Sequence, residues 1–249
     1  TPFEIDTPIP LGRWSELPLH LLAVELDQRG RLDLDASQPL AAGLRWPGAP
    51  APTLRQLLSH HAGLNGGRLH GLYADPGQPA ATADPERYAA RAPGLLESYS
   101  LVGLDAAVKA LEQALQSEDR TIAAALEEQL QRLYGADCPR PSLSYEVPAK
   151  LARGHRDREQ LPLMVASNRH ALGLHGSLRG AAALFTPLTR TPLDPAWEAI
   201  VEVQNASAVL DFDRKLGLGV DLVDSQRPAV GRVALAFGTA PGYRAEARV

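Results

Sequence analysis

The sequence predicts an α+β fold, and three observations carry that reading. Apolar residues recur at helical spacing after Ser15 and again between residues 102 and 134. The first twelve residues are proline-rich and contain an alternating Phe3-Glu4-Ile5, which is extended chain and not helix. A short alternation of Leu and Asp follows the first helical run, at Arg31-Leu32-Asp33-Leu34-Asp35.

In order along the chain, Ser15 is placed to cap the first helix, and Pro18 falls near its first turn, where proline is tolerated. Leu19, Leu22, Ala23 and Leu26 form one face, and Gly30 is a natural stop. Arg31 to Asp35 is expected to be extended, with Leu inward and Asp outward. Residues 36–52 are a loop rich in Pro, Gly and Ala. Thr53 is expected to cap a short helix carrying Leu54, Leu57 and Leu58 on one face, ended by Gly63. Residues 65–92 are loop with one short helical candidate around 85–90. Leu104, Ala107, Val108, Leu111 and Leu115 predict a helix over 102–116. Ile122, Leu126, Leu130 and Leu133 predict a second over about 119–134, stopping at Gly135.

The bulk properties exclude several function classes. With 249 residues the chain can bury a sizeable core, and 45% hydrophobic with 22% charged residues is a globular composition. A net charge of −4 supplies no basic stripe for nucleic acid. The single cysteine, Cys138, permits no intrachain disulfide and no cysteine-based metal site. No apolar run is long enough to span a membrane. The chain begins at Thr1, which is expected of a processed or trimmed product. Three lysines against 22 arginines fit the coding bias of a high-GC bacterium and say little about function.

A series of segments in a fixed order resembles one family. The run from Leu21 to Gly30, followed by the Leu-Asp alternation, is similar to the helix that follows a Gly-Ser-x-x-Lys in the serine β-lactamases and penicillin-binding proteins, above all their class C and esterase branch. Thr53-Leu54-Arg55-Gln56-Leu57-Leu58-Ser59-His60-His61-Ala62-Gly63-Leu64 resembles that family's Thr-x-x-x-Leu-Leu-x-His-x-Ser-Gly-Leu. Pro93-Gly94 with Tyr99-Ser100-Leu101-Val102-Gly103 resembles its Pro-Gly…Tyr-Ser-Asn-x-Gly. Leu151 to His155 looks like a strand element, Leu172 to Phe185 like a Gly-Gly-Leu-x-Ser-Thr helix, and Leu216 to Val220 like a Gly-Leu-Gly strand. Val233 to Tyr243 looks like the strand bearing Lys-Thr-Gly or His-x-Gly with its following turn.

The resemblance implies a β-lactamase/transpeptidase-like fold across one domain, residues 1–249. It would have a helical subdomain over about 53–150, and a helix-flanked antiparallel sheet built from about 1–52 and 151–249. Only 12 residues precede Arg13 and seven follow Gly242. The expectation is therefore a sheet lacking terminal strands that were removed, or that a partner chain supplies.

Acyl transfer in that family needs a Ser hydroxyl activated by a Lys one helical turn on, a Tyr relaying the proton, and a third strand offering a cation or His and an oxyanion donor. None of Lys109, Lys150 and Lys215 has a Ser three residues before it, so no Ser-x-x-Lys exists in the chain. Counting back from Gly30 puts Arg13 at the Ser and Glu16 at the Lys. Tyr99 is kept, Leu101 replaces the Asn, and Ala236-Phe237-Gly238 keeps only the Gly. Arg13 and Glu16 are spaced to pair with each other, and neither is an acyl acceptor. The candidate groove comprises Arg13, Glu16, Tyr99, Phe237 and Gly238.

Rival chemistry is weak. Ser15 reads as a helix cap, since His20, the nearest base, falls on another face. His60 and His61 read as structural, closing the turn before Gly63, and His155, His170 and His175 lack ligand spacing for zinc. Gly217-x-Gly219 has no helix start or Lys for a phosphate loop. No metal and no cofactor are expected. The function favoured is a catalytically inactive, β-lactamase-like binding or scaffolding domain. The resemblance suggests a periplasmic or cell-envelope setting, with a glycan, a peptide or a protein as partner. The alternatives are a serine hydrolase (β-lactamase, esterase or D-aminopeptidase-like) with a non-standard site, and a structural subunit completed by another chain.

Overall fold

The computed structural model describes residues 4–38, 46, 49–64, 73–74, 91–134, 143–163, 165–166, 168–206, 211, 214–225, 227 and 231–249. The helical candidate at 85–90, the stop at Gly135 and Cys138 lie outside these residues.

The chain enters through a two-residue strand, β1 (Ile9–Pro10), and tightens into a 3-10 turn at Gly12–Ser15 before α1 (Glu16–Gln28). Ten of the 13 residues of α1 are buried, so it runs through the interior and does not lie across the surface. It closes as a Schellman end: the Arg31 N–H reaches Leu26 O, and the Gly30 N–H, at φ +66°, reaches Asp27 O. Leu34 is buried as expected, but Arg31–Asp35 is a turn and not extended chain. The Asp33 carboxylate holds the N–H groups of Asp35 and Ala36, and Asp27 holds that of Leu34.

Three further helices pack around α1 or on one another. In α2 (Leu54–Leu58), Thr53 and Gln56 form a reciprocal capping box, and Leu54, Leu57 and Leu58 are fully buried. This helix ends at Leu58 and not at Gly63, because His60 already turns to φ +60°. α3 (Leu101–Gln116) is capped by the Ser100 hydroxyl, and α4 (Ile122–Tyr134) packs on α1 and α3. Both match the helical stripes to within three residues at their starts.

A four-stranded antiparallel sheet runs in the order β11-β10-β9-β8, with β8 at Lys215–Leu216, β9 at Asp221–Asp224, β10 at Arg232–Ala240 and β11 at Tyr243–Arg248. Smaller pairings join β1 to β7 (His175–Gly176) and β7 to β3 (Leu143–Ser144). Two-residue pairs link β2 (Tyr73–Ala74) to β6 (Val165–Ala166), and β4 (His155–Arg156) to β5 (Glu159–Gln160).

Three expectations need correction here. The segment 151–155 is strand only at His155, because the Ala152 N–H is committed to Pro8 O. The helix expected over 172–185 is broken into α5 (Arg169–Leu172), β7 and α6 (Leu178–Phe185), since β7 pairs with β1 and β3. The strand expected over 216–220 stops at Leu216: Gly217 N–H turns back to Val220 O and Leu218 N–H to Ile200 O, and β9 begins at Asp221. The last helix, α7 (Pro195–Val201), lies against α1.

Candidate functional site

The Gly12–Ser15 turn is clamped on two sides. The Leu11 N–H donates to Leu174 O, and the Leu174 N–H donates to the Ser15 hydroxyl, both at 2.9 Å. Ser15 is therefore not the helix cap expected of it; its side chain makes no capping bond and is fully buried holding the α5–β7 connection. From the other side β10 presses on the turn. A Cβ on Gly12 would lie 2.0 Å from Thr239 O, and one on Gly238 would lie 3.1 Å from the Trp14 ring. Glycine at both positions is what lets strand and turn touch.

This clamp aims Arg13 and Glu16 at the start of α3. Glu16 has no exposure at all, yet it is ionised and fully partnered. The Tyr99 hydroxyl donates to Oε1 at 2.8 Å, and His60 Nε2 lies 3.3 Å from Oε2. The Ser100 N–H donates to His60 Nδ1, which leaves Nε2 to carry the proton toward the carboxylate. Arg13 Nε stands 3.6 Å from Glu16, and its guanidinium lies over the Tyr99 ring, 4.9 Å from the centroid. Burial raises the Glu16 pKa, but the hydrogen bond from His60 and the charge of Arg13, with smaller electrostatic contributions from the His60 and His20 rings, outweigh it and bring the group down to about 2. Burial likewise works against the charge on Arg13, and Glu16, with Tyr99, Glu97 and Asp221, overrides it and keeps the guanidinium above its ordinary value.

The charges continue outward in alternation. Arg13 stands 3.6 Å from Glu97, Glu97 meets Arg214 at 2.8 Å, and Arg214 meets Asp221 at 3.2 Å. The row thus reads Glu16, Arg13, Glu97, Arg214, Asp221, from no exposure at Glu16 to 54% at the Arg214 side chain. Arg214 and Asp221 line an open cavity of about 860 Å³ together with Val203 and Leu222.

The other expected positions divide. Gly238 and Ala236 share the buried face of β10, and Gly238 rests on Trp14. Phe237 points to the opposite face of the strand, so it does not join Gly238 beside the turn. Leu101 begins α3, one residue after the Ser100 cap, and is half-buried. Among the described residues, no group of three or more His, Cys, Asp or Glu is placed to hold a metal ion.

A second polar cluster was not legible in the sequence. His61 Nε2 lies 2.6 Å from Asp211, and its Nδ1 lies 3.2 Å from the Ser59 hydroxyl. Asp211 also accepts from the Glu97 N–H at 2.7 Å and from Asn205 at 2.8 Å. Ser59, His61 and Asp211 have the connectivity of a nucleophile, base and orienting acid. However, the N–H groups of Ser59, His60 and His61 donate to Arg55, Leu57 and Gln56 carbonyls, so these three leave no donor for an oxyanion. The cluster works as a clasp that ties the end of α2 to the segment carrying Glu97 and Tyr99. His61 and Asp211 are 150 residues apart, and no local pattern announces the pair.

No protein-family profile and no curated protein matches the chain. Solved structures do. An octameric penicillin-binding protein homologue from Pyrococcus abyssi superposes on all of this chain with a TM-score of 0.72 at 14% identity, and the chain spans 60% of that protein's length. A class C β-lactamase from Rhodobacter sphaeroides superposes on all of it at 0.68 with 17% identity. A β-lactamase/D-alanine carboxypeptidase from Pseudomonas syringae does so at 0.68 with 16%, and the chain spans 78% of each of these two. At such identities the likeness concerns architecture alone, and that architecture agrees with the order of motifs along the sequence: this chain has the serine β-lactamase and penicillin-binding-protein fold.

Proposed function

We propose that this is a catalytically inactive β-lactamase-like domain with a binding or scaffolding role. Its setting is the bacterial cell envelope, and its partner is an envelope glycan, an envelope peptide or a protein. It acts as one domain, the helical part of about 53–150 beside the sheet. The observation that carries this reading is the closure of Arg13, Glu16 and Tyr99 on one another. At the positions that the resemblance gives to nucleophile and base stand a guanidinium and a carboxylate held at about 2. Neither can deprotonate an attacking hydroxyl at neutral pH, and the Tyr99 proton is engaged by Glu16. The test is labelling with a fluorescent penicillin and a fluorophosphonate, each followed by mass spectrometry of the intact chain. No adduct is expected; a stoichiometric adduct on Ser15 or Ser59 overturns the reading.

A second reading, a serine hydrolase with a non-standard nucleophile, is favoured by the Ser59–His61–Asp211 connectivity, and loss of fluorophosphonate labelling in S59A would establish it. A third, a structural subunit completed by another chain, is favoured by β11, which has one hydrogen-bonded neighbour among the described strands. Light scattering separates it, because a folded monomer in solution removes the need for borrowed strands.

A further inference from the structure

We infer that the cavity between α1, α4 and the segment 187–197 binds a small organic anion, with Arg190 as its principal cation. The cavity holds about 400 Å³ and is lined by Leu21, Glu25, Gln28 and Arg29 of α1, by Arg132 and Leu133 of α4, and by five residues between Pro187 and Trp197. That volume lies in the range of small-molecule sites. Its lining carries three arginines against two acids, in a chain whose net charge is −4.

The two acids are already engaged. Glu25 receives Arg132 at 2.6 Å on both oxygens, with Arg29 at 3.6 Å on its flank. Asp194 caps α7 by accepting the Ala196 N–H. Arg190 is exposed, and among the described residues its guanidinium has no carboxylate within ion-pair distance. Its backbone is fixed by the turn before it, where its N–H donates to Pro187 O. An open guanidinium of this kind accepts a carboxylate or phosphate through two parallel hydrogen bonds. Trp197, 3% exposed, and Leu133 form apolar wall next to the cationic rim. The fitting ligand therefore joins an anionic oxygen group to a short aromatic or aliphatic body. The site is independent of the function proposed above: Glu25 lies nine residues after Glu16 on α1, roughly 13 Å along its axis.

The test is titration of the isotope-labelled chain with phenyl phosphate, benzoate, inorganic phosphate and neutral benzyl alcohol, read from the indole N–H signals. Phenyl phosphate or benzoate is expected to shift the Trp197 signal and leave Trp14, beside Gly238, in place; benzyl alcohol is expected to shift neither. Tighter binding of phenyl phosphate assigns a phosphate ester, and tighter binding of benzoate assigns a carboxylate. R190Q, at an exposed position, should keep its melting temperature and bind at least tenfold more weakly. The proposal is overturned if no anion shifts Trp197, if the shifts centre on Trp14, if inorganic phosphate matches phenyl phosphate, or if R190Q binds unchanged.

Discussion

Glu16 carries a full charge with no solvent contact, and its partners leave a signature in acid. The ordinary carboxyl value of 4.5 falls to about 2 in the folded chain, so the unfolded chain takes up this proton first. The stabilisation is complete above pH 4.5 and is lost as pH falls toward 2; the gap corresponds to on the order of 3 kcal/mol. His20 and His175 act in an earlier window. Burial lowers each from 6.5 to about 4, so each removes stability as pH falls from 6.5 toward 4. Urea unfolding at stepped pH should therefore show two successive declines; E16Q should shrink the lower one, to which Asp211 also contributes, and deepen the upper one, because the Glu16 charge raises the His20 pKa. Y99F removes one hydrogen bond to a buried charge and should cost about 1.5–3 kcal/mol at neutral pH. The pairing of Arg13 with Glu16 was legible in the sequence, because the two stand one helical turn apart. The partnership of His60 with Glu16 was not, because it depends on a residue at positive φ bringing two distant segments together.

Among the elements, the contact between the Gly12–Ser15 turn and β10 fixes where the arginine points. Gly12 combines φ +54° with a neighbouring carbonyl where a Cβ would stand. G12A should lose about 3 kcal/mol, from the strain of that conformation together with the displacement of β10. T53A removes only the capping hydroxyl of α2 and should lose about 1 kcal/mol in the same urea titration. The amphipathic α3 and α4 were legible because their burial repeats every three to four residues. The break between α5 and α6 was not: Gly173 to Ser177 reads as helix locally, and pairing of His175–Gly176 with strands far along the chain overrides it. Ser15 failed as a cap for the same kind of reason, since Leu174 claims its hydroxyl.

At the scale of the whole molecule, Asp211 fastens three separate segments through His61, the Glu97 N–H and Asn205. D211A strands all three partners in a buried place and should lose about 3–5 kcal/mol, measured by urea unfolding at neutral pH. That is a large part of the roughly 5–15 kcal/mol by which such domains are stable. The general architecture was legible because several short motifs fall in one order, each set by its own glycine, cap or leucine pair. The clasp was silent because it joins residues that share no pattern.

The alternating row from Glu16 to Asp221 has an evolutionary consequence. Changing Arg13 to Ser alone would leave the Glu16 carboxylate buried without its cation, and changing Glu16 to Lys alone would set a second cation beside Arg13. Either single step costs several kcal/mol in a buried, water-poor place. A descendant seeking the Ser and Lys that the resemblance expects would need both changes together. The pair works as a lock: surface positions can vary one at a time, while Arg13 and Glu16 can change only together.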